Sequence, residues 1–277
     1  MGRDRRTIVL TGASDGIGAV AARALAGPST ELILVGRSPH KLDPIVAETG
    51  ATGFTADFSR LSEVRDLAAR IAERVEKIDV LMNNAGGTFA ASQRTADGHE
   101  PCFQINHLAP FLLTNLLRDR LAAAGSSLVL NTSSVGNLFG SVDLDDLDFE
   151  RRPTLGGRHY GTSKLENIMF TRGIAQRWSD ERIYSAAVHP GPAATSFGRD
   201  SRLVGLAYRS PLARLVTITA EQGAAPLIAL AERGADPSVN GVYFSRHKPG
   251  GRENPQARDQ ALIDGLWQRS ARLTGLS

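Results

Sequence analysis

A chain of 277 residues, 42% of them hydrophobic, is long enough to bury a substantial core. Its 32 basic residues and net charge of +3 are spread along the sequence, which argues against a nucleic-acid binder, where they would gather on one element. A single cysteine, Cys102, excludes an internal disulfide and a thiolate zinc cluster, and no run of about 18 apolar residues offers a membrane span.

Arg3, Arg5 and Arg6 make residues 1–6 a basic N-terminal arm. No apolar segment follows it as in a secretory signal, and Arg6 stands where a myristoylation signal needs Ser or Thr. A cytoplasmic protein without a membrane span is expected. Short apolar runs then alternate with helical patterns. TIVLT (7–11), ELILVG (31–36), GFTAD (53–57), IDVLMN (78–83), SLVLNTS (127–133), YSAAVH (184–189) and GVYFS (241–245) read as strands. Several are apolar throughout, as strands covered on both faces are. Helices are expected near 16–26, 39–49, 60–76, 97–123, 158–179, 220–233 and 255–273. This alternation predicts parallel βαβ units. No linker interrupts it, so residues 1–277 form one Rossmann-type doubly wound α/β domain. Its seven-stranded, mainly parallel sheet carries helices on both faces.

Two stretches fall outside the alternation. Residues 135–157 carry Asp143, Asp145, Asp146, Asp148 and Glu150 and read as a solvated acidic loop. Residues 190–219 contain LVGLAYRSPLARLV, apolar but broken by Arg202, Arg209 and Arg214. Loops of this length are often functional covers, so 190–219 is a candidate lid over a hydrophobic substrate. A membrane-facing amphipathic helix is its alternative.

The first strand runs into TGASDGIG (11–18) and then into a helical pattern. Gly12, Gly16 and Gly18 supply the sharp turn and bare backbone that a pyrophosphate at a helix N-terminus requires. Ser14, Asp15 and Ile17 complete that loop. The second strand ends Val35-Gly36-Arg37-Ser38, with an arginine at its tip and no carboxylate. Arg37 suits the 2′-phosphate of NADP(H), whereas NAD sites place an acid there. NADP(H) is therefore the expected cofactor, with NAD(H) possible because Asp15 lies in the glycine loop.

Taken together, the motifs resemble those of the short-chain dehydrogenase/reductase family, over nearly the whole chain. TGASDGIG matches its cofactor loop, and Asp57, with Phe58 next to it, matches the acidic position that contacts adenine. NNAG (83–86) supplies Asn84, Ala85 and Gly86. Asn106 in QINHLAPFLLTNLL, Ser134 in NTSSVG, Tyr160 and Lys164 in YGTSK, and Pro190, Gly191 and Thr195 in HPGPAAT complete the set. The wording around Asn106 and the interval from Ser134 to Tyr160 look most like the retinol-dehydrogenase-like branch. That branch often carries a membrane anchor, which is not found here, so retinoid chemistry does not follow from the likeness.

The resemblance implies an oxidoreductase that interconverts an aldehyde or ketone and an alcohol. Tyr160 would be general acid and base, and Ser134 would orient the substrate oxygen. Lys164 would bind the nicotinamide ribose and Asn106 would hold a water in the proton path. Residues i and i+4 are helix neighbours, so the Lys164 ammonium can favour the Tyr160 phenolate and bring a group of ordinary pKa near 10 toward its working range. Family habit implies a homodimer or homotetramer. A cofactor-sensing regulator without chemistry is the alternative, but such relatives usually lose the tyrosine or the lysine. A Rossmann-like methyltransferase would have no use for YGTSK. His107, His159 and His189 flank these motifs at intervals that suggest packing, not a metal site, and Cys102 reads as a small buried apolar group.

Overall fold

A computed structural model describes residues 5–90, 93–152, 157–191 and 218–276. The strands are β1 (Arg6–Thr11), β2 (Thr30–Gly36), β3 (Thr52–Thr55), β4 (Val80–Asn83), β5 (Ser127–Thr132), β6 (Ile183–His189), β7 (Val242–Ser245) and β8 (Lys248–Pro249). They form one sheet in the order β3-β2-β1-β4-β5-β6-β7-β8. The first seven pair in parallel, with registers such as Val9↔Ile33 and Met82↔Leu130. The eighth strand is an addition to the expected seven. It is a two-residue antiparallel return, Ser245↔Lys248, reached through Arg246 at φ 56°, and is too short to leave an alternation in the sequence.

The helices are α1 (Gly16–Leu25), α2 (Pro39–Thr49), α3 (Leu61–Arg74), α4 (Pro101–Phe103), α5 (Ala109–Leu116), α6 (Arg118–Ala122), α7 (Arg158–Trp178), α8 (Ala220–Arg233) and α9 (Gln260–Leu273). Central strands are buried on both faces, and successive residues feed opposite cores. Val9 and Ile33 pack with α3, α5, α7 and α9, whereas Ile8, Leu10 and Leu34 pack with α1, α2 and α8. The chain reverses direction across the sheet between β1 and β4. In open α/β sheets such a switch leaves a crevice beyond the carboxyl ends of the strands.

The single helix expected over 97–123 is three short helices. Between α4 and α5 the backbone takes a π-helical turn over Gln104–Leu108, and a second break falls at Leu117. Pro110 accounts for the first departure. It has no N–H to donate to the Asn106 carbonyl four residues back, so regular α-helical bonding lapses where Asn106 stands.

The acidic stretch is not simply a solvated loop. Asp146 is buried, and its carboxylate accepts the backbone N–H groups of Glu150, Arg151 and Arg152 at 2.8–3.1 Å, together with Arg152 Nε at 2.9 Å. Asp148 accepts the Glu100 N–H at 2.9 Å and pairs with His99 Nδ1 at 2.9 Å. Two of the five acids therefore fold the segment and fasten it to the start of α4, while Asp143 and Asp145 remain exposed. Burial alone would raise the Asp146 pKa, but Arg152 and the backbone N–H groups hold it below the usual carboxylate value.

Candidate active site

The crevice at the β1/β4 switch holds a cleft of about 550 Å³. One end of it is the turn between β1 and α1. Gly12 and Gly16 adopt φ of 69° and 53°. A Cβ added to Gly18 would lie 2.0 Å from the Gly12 carbonyl oxygen, so only glycine permits the turn to close. Asp15 caps α1 by accepting the Gly16 N–H at 2.8 Å. Behind the turn, Asn84 Nδ2 donates to the Thr11 carbonyl at 3.0 Å, and Thr11 Oγ1 accepts the Asn84 and Ala85 N–H groups at 3.1 and 3.0 Å. The NNAG segment is thus fastened across the switch, one strand from the glycine turn.

At the tip of β2, Arg37 and Ser38 line the same cleft, joined by Lys41 from the first turn of α2. Lys41 Nζ lies 2.8 Å from Asp15 Oδ2. Lys41 is a cleft residue beyond those expected from the sequence, and its signal is its place in Arg37-Ser38-Pro39-His40-Lys41: Pro39 starts a helix at N1, which turns Lys41 back over the strand end. The Asp15 carboxylate in the glycine loop is consequently paired with a cation. Asp57 and Phe58 also line the cleft. Asp57 Oδ1 caps the Ser59 N–H at 3.0 Å, and the Phe58 carbonyl accepts Gln104 Nε2 at 3.2 Å.

The other end of the cleft is lined by Ser134, Tyr160, Lys164, Pro190 and Gly191. Lys164 Nζ stands 5.7 Å from the centre of the Tyr160 ring, as one helical turn of α7 dictates. The lysine is buried and donates to the Thr132 carbonyl at 3.1 Å, and burial lowers its pKa to about 8. Of the adjacent serines, Ser133 turns inward, where its hydroxyl donates to the Lys164 carbonyl at 2.7 Å. Ser134 caps the 3-10 turn Val135–Phe139 by accepting the Gly136 N–H at 3.1 Å, and it faces the cleft. A Cβ on Gly136 would be 3.3 Å from Tyr160 Cε1 and 3.5 Å from Ser134 Oγ, so the serine and the tyrosine flank one point. This contact depends on Gly161, where a Cβ would stand 2.6 Å from the Gly136 carbonyl oxygen. The glycine inside YGTSK lets the serine turn press against α7.

Asn106 is fully buried and does not line the cleft. Its amide nitrogen donates to the Gly87 carbonyl and to Ser163 Oγ, both at 2.9 Å, and its Oδ1 accepts the Gly87 N–H at 2.8 Å. Both amide hydrogens are used, so the side chain clamps the cleft wall, and a water could be held only through an acceptor. Thr195 and residues 192–217 of the expected lid lie outside the described residues. Residues that the sequence reading did not assign to the site but that line the cleft include Thr88, Phe89, Thr132 and His189. Burial first, and Arg246 second, lower the His189 pKa to about 4. His107 packs in the core: it stacks on Phe103 with ring centres 5.8 Å apart and pairs with Ser270 Oγ at 2.9 Å.

The short chain dehydrogenase profile matches residues 6–203. A candidate daunorubicin C-13 ketoreductase of a Streptomyces strain is 39% identical over 98% of this chain and 93% of its own length. Human retinol dehydrogenase 13 is 36% identical over 98% of this chain and 85% of its own. Among solved structures, a Mycobacterium paratuberculosis protein of uncharacterized function superposes with a TM-score of 0.77 at 29% identity, covering 98% and 93% of the two chains. A short-chain dehydrogenase of Sphingobium yanoikuyae, solved with NADPH, gives 0.65 at 26% identity over 82% and 84%. This chain belongs to the short-chain dehydrogenase family, in its retinol-dehydrogenase-like branch. No helix among the described residues is long and apolar enough to cross a membrane.

Proposed function

We propose that the protein is an NADP(H)-dependent oxidoreductase that interconverts an aldehyde or ketone and an alcohol, with Tyr160 as general acid in reduction and general base in oxidation. The observation that carries this reading is convergence. Tyr160, Lys164 and Ser134 meet at one end of a cleft whose other end is a glycine turn that admits no side chain. The residues present suit a nicotinamide dinucleotide. Gly12, Gly16 and Gly18 offer bare backbone and a helix N-terminus for the pyrophosphate, Asp57 and Phe58 the adenine wall, and Asn84, Ala85 and Gly86 the central floor. Lys164, Pro190, Gly191 and, as a further proposed contact, Thr195 serve the nicotinamide end. Arg37 and Lys41 favour a 2′-phosphate, and the NADPH held by the Sphingobium relative agrees with that choice. NAD(H) remains the weaker partner.

When bound, the dinucleotide donates or accepts the hydride. The remaining work falls to the chain. In reduction the Tyr160 hydroxyl gives its proton to the substrate oxygen, and in oxidation the phenolate takes it back. The Lys164 ammonium favours that phenolate, and Ser134 donates a hydrogen bond that fixes the substrate oxygen beside Tyr160. Asn106 is a positioning residue that holds Gly87 and Ser163. The names of the ketoreductase and retinol dehydrogenase relatives support carbonyl–alcohol chemistry as the class; a cytoplasmic homo-oligomer is part of the proposal on family habit alone. A panel of aldehydes and ketones, followed by loss of NADPH absorbance, tests it. Turnover that Tyr160→Phe abolishes is the expected result. Turnover that survives in Tyr160→Phe would overturn the role of Tyr160, and an inert panel with tight NADPH binding would favour the sensor.

A further inference from the structure

We propose that Glu100, Cys102 and His159 form a binding site for a zinc-type divalent ion, outside the cofactor cleft. Glu100 precedes α4, Cys102 lies within it, and His159 stands in the first turn of α7. All three are buried, and one ligand atom from each lies within 4.8 Å of the others. None of them lines the cofactor cleft. The cluster sits behind its wall, where the Cys102 thiol reaches the Gly87 carbonyl at 3.9 Å and His159 Nε2 the Phe89 carbonyl at 3.1 Å.

Hydrogen bonding distinguishes this cluster from ordinary packing. A carbonyl can only accept, so His159 Nε2 carries the ring proton and Nδ1 keeps a bare lone pair. That lone pair has no hydrogen-bond partner among the described residues. Imidazoles that bind metals commonly donate their other N–H to a backbone carbonyl in this way. Glu100 is used in the same half-complete manner. Its Oε2 accepts the Phe103 N–H at 2.7 Å, while its Oε1 is buried without a partner. A bare imidazole nitrogen and a carboxylate oxygen therefore lie buried beside the Cys102 thiol.

A sulfur, an imidazole nitrogen and a carboxylate oxygen are a donor set suited to zinc. Zinc bonds of about 2.0–2.3 Å in a tetrahedron would set the ligand atoms about 3.3–3.8 Å apart, so the cluster must contract by about 1 Å through side-chain rotation. Binding exchanges the Cys102 proton for the metal and releases it to solvent. A second buried acid stands nearby. Glu166 of α7 has both oxygens unpartnered, and burial, with the Glu100 charge behind it, raises its pKa well above the usual value. A bound ion would tie α4 to the turn of α7 immediately before Tyr160. Sequence spacing conceals the site, because 57 residues separate Cys102 from His159 and only the packing of α4 on α7 joins them.

The test uses the full chain without an affinity tag. Protein stripped with a chelator is loaded with zinc sulfate, desalted, and assayed by elemental analysis. One zinc per chain is expected, with at least a tenfold loss of zinc affinity in Glu100→Gln and Cys102→Ser and full loading in Tyr160→Phe. Because Cys102 is the only thiol, zinc should also slow its alkylation in the unaltered protein, a readout that needs no variant to fold. Cobalt loading should give a thiolate charge-transfer band that Cys102→Ser lacks. Substoichiometric zinc in the parent, or alkylation that zinc does not slow, would overturn the proposal.

Discussion

The proposed preference for NADP(H) rests on Arg37 and Lys41 at the tip of β2 and on Asp15 in the glycine turn, and Arg37→Ala isolates the first. A hydrogen bond between charged groups contributes about 1.5–3 kcal/mol, and every 1.4 kcal/mol is about tenfold in Kd. Arg37 is exposed, so screening by solvent places its phosphate contact at the low end of that range. Arg37→Ala should therefore weaken NADPH about 10- to 30-fold and change NADH by less than about twofold. Lys41 begins from a different state, because its ammonium is bound to Asp15 at 2.8 Å with both side chains nearly half exposed. Such a surface pair stabilises by about 0.2–1 kcal/mol, which a phosphate must first displace. Lys41→Ala should cost NADPH only about three- to tenfold. Asp15→Asn removes the competitor and should tighten NADPH by up to about fivefold. Fluorescence titration of each variant with both reduced dinucleotides gives the ratios directly. An Arg37→Ala protein that loses NADPH and NADH equally, or an Asp15→Asn protein that binds NADPH more weakly, would refute the arrangement.

Tyr160→Phe removes the proton donor and should reduce kcat by about 10²- to 10⁴-fold with NADPH affinity nearly unchanged, as stopped-flow and titration would show; a loss confined to binding would contradict the assignment. Lys164 is expected to make stability depend on pH. Its folded pKa of about 8 lies below the unfolded value near 10.4, so its ammonium is a burial cost that is complete below pH 8 and is lifted as the pH rises through the interval between those values. Lys164→Met should then be favoured over the parent at pH 7 by more than at pH 10, the gap closing by roughly 2.5 kcal/mol in urea titrations, and a constant gap would count against it. Gly18→Ala must force a Cβ to within 2.0 Å of a backbone oxygen and should abolish NADPH binding, whereas Gly27→Ala, with nothing within 4 Å, should change stability by less than about 0.5 kcal/mol. Asp146→Ala should destabilise by about 2 kcal/mol, measured by chemical denaturation, since four donors lose their acceptor.

Central strands such as β1, β4 and β5 were legible because parallel strands buried on both faces are apolar throughout, and all seven that the sequence showed lie in the sheet, the half-exposed β3 among them. The cofactor turn was legible because glycine at 12, 16 and 18 answers a steric need that no other residue meets. The π-turn at Gln104–Leu108 has only a faint mark in the sequence, Pro110 and its missing N–H, inside a stretch whose apolar pattern otherwise suits one helix. The role of Asp146 was illegible for a different reason. Its neighbours in sequence are also acidic, and only the folded backbone shows which carboxylate turns inward to collect three N–H groups. Lys41 is not legible at the strand tip itself, because only the helix that follows brings it back over the cleft.

Those misses share a physical origin that bears on the catalytic end. Tyr160, Lys164 and Ser134, recognisable by residue type, line the cleft. The residues that place them act through backbone partners instead. Asn106 grips both polar groups of Gly87, Ser133 ties β5 to the Lys164 carbonyl, and Gly161 admits the Ser134 turn against α7. A Cβ on Gly86 would meet Asn106 Oδ1 at 2.7 Å and Lys164 Nζ at 3.3 Å, so the clamp and the ammonium close on the same glycine. Gly86→Ala therefore separates placement from chemistry. It alters no proton-transfer group, yet it must push either Asn106 off Gly87 or Lys164 away from Tyr160. If placement governs the rate, kcat should fall by about 10²-fold, the cost of roughly a 1 Å misplacement, with the Tyr160 and Lys164 side chains both present. A Gly86→Ala enzyme with the parent's kcat would show that the lysine needs no such support.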